Sequence, residues 1–346
     1  MIREILKKIK KAPSSKIDLK EAKLRLKAAN NFWAQLPRPI LAQAPLAGFT
    51  DSPFRQIVAS FGAMVTYSEM ISAAALFYDS AETYRLLKFS PKKEGHYVVQ
   101  LFGAEPEHFA VASRLVTEKI KPAGIDINFG CPVPKVTKQG AGAALMADLP
   151  RARAVVEAVL ANTDLPVSIK IRSASGAVGA KDFLAYLKDL PIAALMIHGR
   201  TRKQGFAGPV DVATIKEAVA NFSGPVLANG GVNSLAEANH LLEVSGAAGL
   251  GLGRGSLGRP WLFREIINQK EEKFSWPEIA SLMLTQGRLT EKLKGSEAFL
   301  ELRKQLCYYV QGLPDASSIR SAVVKIKNYF DLKNILEPVI KKKNPL

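Results

Sequence analysis

The chain is poor in cysteine and histidine and has no long apolar run. Two cysteines, Cys131 and Cys307, among 346 residues cannot build a disulfide scaffold or a four-cysteine metal site, and no metal is expected. A reducing, cytoplasmic setting suits them. Nowhere do about 18 apolar residues run uninterrupted, which excludes a membrane span. Acidic residues are also in short supply: 31 Asp and Glu face 48 Lys and Arg, with only 4 His, for a net charge of +17. Net charge bears on association and not on fold, and an excess of this size favours an anionic polymer as partner. The remaining composition is ordinary, at 47% hydrophobic and 23% charged, so neither a disordered nor a fibrous chain fits. The length suits two domains, or one large barrel with an appendage.

The charge is unevenly placed. Residues 1–40 hold 11 basic and 3 acidic side chains, residues 41–262 hold 22 and 18, and residues 263–346 hold 15 and 10. Ile2, Ile5, Leu6 and Ile9 follow the spacing of an amphipathic helix. A break at 13–15 follows, and Asp18 with Glu21 reads as a capping box opening a second helix to about Ala29. The first segment lacks the apolar core of a secretory signal and is Lys-rich where transit peptides are Arg-rich. Residues 1–38 therefore read as a basic helical extension.

From residue 41 short apolar runs alternate with helical stretches. The runs are 41–45, 64–67, 97–102, 124–128, 166–171, 193–197, 225–228 and 247–252, with helical patterns at 53–61, 106–120, 150–161, 180–188, 211–220 and 234–244. Eight such units predict an α/β fold, a parallel (β/α)8 TIM barrel over residues 39–262, with a doubly wound sheet as competitor. Polar or Gly-rich residues follow strand after strand, which favours the barrel, because barrel sites use the C-terminal ends of all strands. After Pro260 the strands stop. Residues 263–346 read as a small all-helical domain, clearest over 299–311 and 318–329, with a solvated lysine tail at 341–343.

Several residues carry candidate chemistry. The run from Gly253 to Gly258 matches G-x-G-x-x-G, yet the next stretch, 263–274, is helical and charged, so a Rossmann unit fails on context. The same backbone can hold a phosphate, and in barrels that site is built by the loops after strands seven and eight. Asn229, Gly230, Gly231, Gly253 and Arg254 sit on those loops. Lys170 alternates with Ile169 and Ile171 and shares a face with Arg172; a barrel strand has no edge, so this lysine must meet an anion or a polar ligand. His198 is open between a locally hydrogen-bonded strand end and a site residue. Cys307 lies in a helical apolar pattern and reads as a buried filler. Cys131 follows Asn128, Phe129 and Gly130 in a Gly/Pro-rich loop and is open between nucleophile and general acid. No histidine stands beside it in sequence, which leans towards the acid.

With these residues in hand, the chain resembles the tRNA-dihydrouridine synthase family. The matching pieces are Ala44 to Arg55, Asn128 to Pro132, Lys135 and Val136, Gly140 to Gly142, Lys170 to Arg172, and His198 to Arg202. Asn229-Gly230, Gly253-Arg254 and Gly258 to Trp261 complete them, in family order. The segment from Leu302 through Tyr308 and Gln311 to Arg320 resembles the family's helical tRNA-binding domain. The resemblance implies reduction of a uridine C5=C6 bond in tRNA by FMN, itself reduced by NADPH, with NADH the open alternative. It implies Cys131 as the general acid for C5 and Lys170 beside the flavin N1 and C2 carbonyl. It also implies cofactor contacts from Pro45, Leu46, Ala47, Gln100 and His198. A phosphate cradle of Asn229, Gly230, Gly231, Gly253 and Arg254 follows, as do Asn128 and Arg200 on the target uracil, in a cytoplasmic monomer. Leu46 stands where the family usually has Met, and Gly231 where Asp is common. The residue 1–38 extension has no usual bacterial counterpart. Two other functions remain: an FMN barrel of the dihydroorotate dehydrogenase type acting on a free pyrimidine, and a non-catalytic RNA-binding barrel. The first has no use for basic ends, and the second none for Cys131, Lys170 and the phosphate loops.

Overall fold

The computed structural model describes residues 20–21, 31–313 and 316–341. The helices expected near residues 2–9 and 18–29 lie outside the described residues, apart from the helical pair Lys20 and Glu21, as does the lysine tail beyond Lys341. Eight parallel strands close a barrel: β1 Ile40–Gln43, β2 Val65–Tyr67, β3 His96–Phe102, β4 Gly124–Asn128, β5 Val167–Arg172, β6 Ala194–His198, β7 Val226–Asn229 and β8 Gly249–Leu252. Each pairs with the next, and β8 returns to β1 through Ile40 opposite Gly249. All eight expected strands are present, displaced by a residue or two. Closure leaves no barrel edge to protect.

Helices α1 Ser52–Ser60, α2 Pro106–Leu115, α3 Leu149–Leu160, α4 Ala180–Leu187, α5 Val212–Asn221 and α6 Leu235–Ser245 surround the strands. Their starts are written in the sequence. The side chains of Asp51, Asp148, Asp211 and Ser234 each accept a backbone N–H of the first turn, which satisfies donors the helix cannot. Strand alternation then divides the side chains into two sets. Ile125, Ile127, Ile169, Ile171 and Ile197 face the helix layer. Ala42, Val65, Tyr67, Val98, Met196 and Leu227 fill the barrel's interior base.

That base is plugged from outside the barrel strands. Phe32 and Trp33 form a 3-10 turn, stack on each other at 4.7 Å, and belong to the same interior cluster. Phe32 also stacks on His96 at 4.5 Å. The barrel core thus reaches back into the segment that the sequence assigned to the basic extension. Further up β3 to β7 the interior changes character, and Gln100, Asp126, Asn128, Ser168, Lys170, His198 and Asn229 replace the apolar side chains.

Beyond β8 come α7 Leu262–Asn268, α8 Trp276–Lys294, α9 Phe299–Tyr309, α10 Ala316–Val323 and α11 Tyr329–Lys341. The region is helical as expected, with two corrections. The helix read over 318–329 is two helices, because Asn328 accepts the N–H of Asp331, and Asp331 accepts that of Lys327, restarting the chain as a capped helix. The longest helix, α8, opens on a capping box between Ser275 and Glu278 that the periodicity did not reveal. Gly258 joins the two regions: it has φ +68°, and a side chain there would meet the Tyr308 carbonyl on α9. Among the described residues no helix is long and apolar enough to cross a membrane.

Candidate active site

A cavity of about 430 Å3 opens at the C-terminal ends of the strands. Every residue singled out from the sequence lines it except Gln100: Pro45, Leu46 and Ala47 from the loop after β1, Asn128 and Cys131 after β4, Lys170 on β5, His198 and Arg200 after β6, Asn229, Gly230 and Gly231 after β7, and Gly253 and Arg254 after β8. Barrel topology gathers these residues, which lie far apart in sequence, at one mouth.

The cavity wall is strongly cationic. Lys170, Arg172, Arg200 and Arg254 all line it, and among the described residues no carboxylate does. Lys170 donates to Asn229 Oδ1 at 3.0 Å, while Asn229 Nδ2 donates to the Gly251 carbonyl at 2.6 Å. The carbonyl can only accept, so the amide is locked with its oxygen towards the ammonium. Burial, and then the neighbouring Arg172, lower Lys170 to about 8. His198 is pushed down to about 2 by burial and by the same four cations, so it is neutral. Its Nε2 faces an Arg200 Nη1 donor at 3.3 Å and must accept, which puts its proton on Nδ1. The Arg254 guanidinium lies 4.5 Å from the Phe206 ring centroid, with no carboxylate paired to it among the described residues.

Glycine makes the loops after β7 and β8 possible. Gly230 has φ +111°, and a Cβ there would lie 2.6 Å from the His198 ring; Gly231 has φ +75°. Gly230 brings bare backbone beside His198 and Arg200, an arrangement suited to an anion.

Cys131 is half-buried at the mouth. Its N–H and that of Gly130 both donate to Asn128 Oδ1, at 2.9 and 3.1 Å. Its carbonyl accepts from Ala143 at 3.0 Å. Gly142 has φ +60°, and a Cβ there would crowd the same carbonyl at 2.8 Å, so the Gly140 to Gly142 segment is the backing of the cysteine loop. Burial raises the thiol above its ordinary value, against the opposing pull of the Val133 N–H, Arg172 and Lys170. The thiol is therefore protonated at neutral pH.

Three residues differ from expectation. Gln100 does not reach the cavity: it is fully buried beneath it, donating to Asp126 Oδ2 at 2.7 Å and accepting from Asn128 at 2.8 Å. Asn128 lines the cavity, yet both ends of its amide are engaged, with Gln100 and with the cysteine loop. Cys307 also departs from the filler reading, for it is only partly buried on α9.

Sequence reasoning passed over Arg172, Asp126, Phe206 and Tyr308. Arg172 donates from Nε to the Gly130 carbonyl at 2.6 Å and from Nη1 to the Thr201 and Gly205 carbonyls at 3.0 and 2.8 Å. It thereby ties the cysteine loop to the loop after β6. Its shared face with Lys170 was the available signal. Asp126 could have been found in the same way, as an acid on the Asn128 face of an apolar strand. Phe206 and Tyr308 line the cavity from a loop and from α9, and no local pattern marks either.

The first barrel motif is largely structural. Arg55 and Glu94 form a fully buried ion pair at 2.6 Å, with Arg55 also donating to the Thr50 and Lys88 carbonyls. This fixes the loop that carries Pro45 to Ala47. Asp51 ties the same loop to α8 through Lys294 at 2.8 Å, and Lys294 also meets Glu301 at 2.7 Å.

The family described as Dihydrouridine synthase (Dus) matches residues 42–344. A probable tRNA-dihydrouridine synthase of Helicobacter pylori is 32% identical over 298 residues, covering 85% of this chain and 90% of that protein. The tRNA-dihydrouridine synthase B of Shewanella oneidensis is 39% identical over 233 residues, covering 67% and 72%. Among solved structures, histamine dehydrogenase from Rhizobium sp. 4-9 superposes with a TM-score of 0.51 at 12% identity, covering 71% of this chain and 48% of that one, a likeness of fold alone. On the matched span and on these relatives, the chain belongs to the dihydrouridine synthase family.

Proposed function

We propose that the chain reduces a uridine in tRNA to dihydrouridine, using FMN in the barrel cavity and NADPH as the reductant. The observation that carries this is a wall with four cations and, among the described residues, no carboxylate, with the protonated Cys131 thiol at its rim. Such a wall fits an anionic cofactor. Gly230, Gly231, Gly253 and Arg254 suit its phosphate, Lys170 suits the electron-rich edge of its ring, and Pro45, Leu46 and Ala47 give an apolar face. Bound there, reduced flavin supplies a hydride for uracil C6. Cys131 gives its proton to C5, and the C5=C6 bond becomes a single bond. The Val133 N–H, Arg172 and Lys170, which oppose the rise of the thiol, stabilise the thiolate that remains. His198, neutral, turns Nε2 to Arg200, which is left as a cation for the substrate at the cavity mouth.

The basic ends support tRNA over a free pyrimidine. A base within folded RNA must leave its stack to enter a barrel mouth, and cations along the backbone offset that cost. Residues 263–346 act as the tRNA-binding domain, residues 39–262 as the flavin domain, and residues 1–38 as a further basic contact. Both cysteines are unpaired, in keeping with a cytoplasmic enzyme.

Anaerobic stopped-flow on the NADPH-reduced protein tests this. Unmodified tRNA reoxidises the flavin and gains two hydrogens per modified uridine by mass spectrometry, while free uridine and orotate do not. Reoxidation by orotate at a comparable rate would replace this function with that of a free-pyrimidine oxidoreductase.

A further inference from the structure

Beneath the cavity floor four residues form a chain of hydrogen bonds with a fixed direction. At one end Asp126, fully buried, accepts from Ser168 at 2.6 Å and from Gln100 Nε2 at 2.7 Å. Gln100 Oε1 then accepts from Asn128 Nδ2 at 2.8 Å. Asn128 Oδ1 in turn accepts the N–H groups of Gly130 and Cys131. The amides of Gln and Asn are near-symmetrical and could each point either way. Here neither is free to choose. Backbone N–H groups can only donate, so Asn128 must offer its oxygen to the cysteine loop and its nitrogen to Gln100. Gln100 must then offer oxygen to Asn128 and nitrogen to Asp126. Only an ionised carboxylate accepts at that end without competing as a donor.

We infer that Asp126 is a positioning residue that anchors the buried end of this relay through Gln100 and Asn128, and so holds the Cys131 thiol in register with the cavity. The inference rests on Cys131 being the proton donor. Asp126 touches neither cavity nor cysteine; it acts through two amides that alternate along the inward faces of β3 and β4. A neutral amide at 126 can donate as well as accept, so it no longer holds the Gln100 NH2 in place. The direction is then kept from the cysteine loop alone, and Gln100 and the Asn128 amide it accepts from are held less firmly. Burial pushes the Asp126 carboxyl up to about 6, with Ser168, Gln100 and Lys170 opposing the rise, so it is mainly ionised at neutral pH.

The test uses Asp126→Asn, Gln100→Met and the double variant, each as the flavin-loaded full chain. Gln100→Met keeps the length and the net charge while cutting the relay. Each single variant is expected to keep stoichiometric FMN and, for Gln100→Met, flavin reduction by NADPH within about twofold. Each is expected to slow tRNA-dependent reoxidation on the order of 10- to 100-fold, the scale of a misplaced catalytic group. Two residues of one relay give a double variant no slower than the slower single one, whereas independent effects multiply. The second measurement needs no substrate: the pH midpoint of Cys131 alkylation by iodoacetamide, in a Cys307→Ser background, moves upward as the loop loses alignment with the Val133 N–H and Arg172. Multiplying effects, an unmoved alkylation midpoint, or FMN loss in Gln100→Met would each overturn the relay. If wild-type protein fails to reduce tRNA while the midpoint still moves, the proposed reaction fails and the relay stands. Should Asp126→Asn not fold, Gln100→Met alone decides through the same two measurements.

Discussion

The two ends of one barrel interior are built from the same strands and do opposite things. At the base, Val65, Val98, Met196 and Leu227 meet beneath Phe32 and Trp33. At the top, two residues along, Lys170, His198 and Asn229 replace them, and water-accessible space replaces packing. The base stabilises the fold by removing apolar surface from water, about 25 cal/mol per Å2. The top cannot, since its cations, from buried Arg172 and Arg200 to exposed Arg254, repel one another. Its stability is carried by the base, by the isoleucine layer under the helices, and by locks such as Arg55 with Glu94. Separating the two along the strand axis lets the site gather four cations at one mouth while the apolar base keeps its packing.

That separation makes predictions, and the largest concerns the rim. Cys131→Ala is expected to lower dihydrouridine formation about 10²- to 10⁴-fold, the usual worth of a positioned acid. FMN content and thermal midpoint should stay near wild type. Single-turnover reoxidation by tRNA reads the first, and the flavin absorbance spectrum with calorimetry reads the second. Near-full activity in this variant would remove the cysteine from the chemistry and leave it a packing residue.

At the base the effect is expected to reverse. Trp33→Ala removes a side chain that is 1% exposed and should cost about 3–5 kcal/mol of stability. Urea denaturation measures it. Among the described residues the buried Trp33 indole N–H has no partner, so part of its transfer gain is offset and the lower half of that range is expected. Turnover per folded molecule at low temperature should be unchanged. A fall in turnover there would show that base and mouth are coupled.

Much of this contrast is legible in the sequence, and the reason is periodicity. Ile169-Lys170-Ile171 announces its two faces by alternation, and the glycine pairs announce turns that other residues cannot make. Thirteen of fourteen named site residues meet at one mouth, because strand ends in a barrel converge whatever their sequence separation. What alternation cannot convey is depth. Gln100 and Lys170 both point inward, yet Gln100 stops beneath the floor because Asp126 and Asn128 hold both ends of its amide. Contributions from distant segments are equally silent. Phe32 and Trp33 look like part of a basic arm, and Tyr308 like one more residue of an apolar helix face. Each acts at the barrel only through tertiary packing.

The smallest predicted effect tests the cationic mouth itself. Lys170 is lowered to about 8 by burial and by Arg172. Below that pH it is an ammonium and adds to the field that draws an anion; above it the charge is lost. FMN affinity of the apoprotein should therefore weaken as pH rises through about 8, by at most tenfold per pH unit, since one proton is involved. Burial raises the Cys131 thiol above its ordinary value, so it loses its proton at higher pH than the lysine. His198, near 2, stays neutral throughout. Fluorescence quenching of FMN between roughly pH 7 and 9.5 gives the profile, a window that follows from the lysine's lowered value. In Lys170→Met the affinity should start lower and run flat across the window. A slope that survives the substitution would assign the titration to another group, and the mouth would then owe its charge to the three arginines alone.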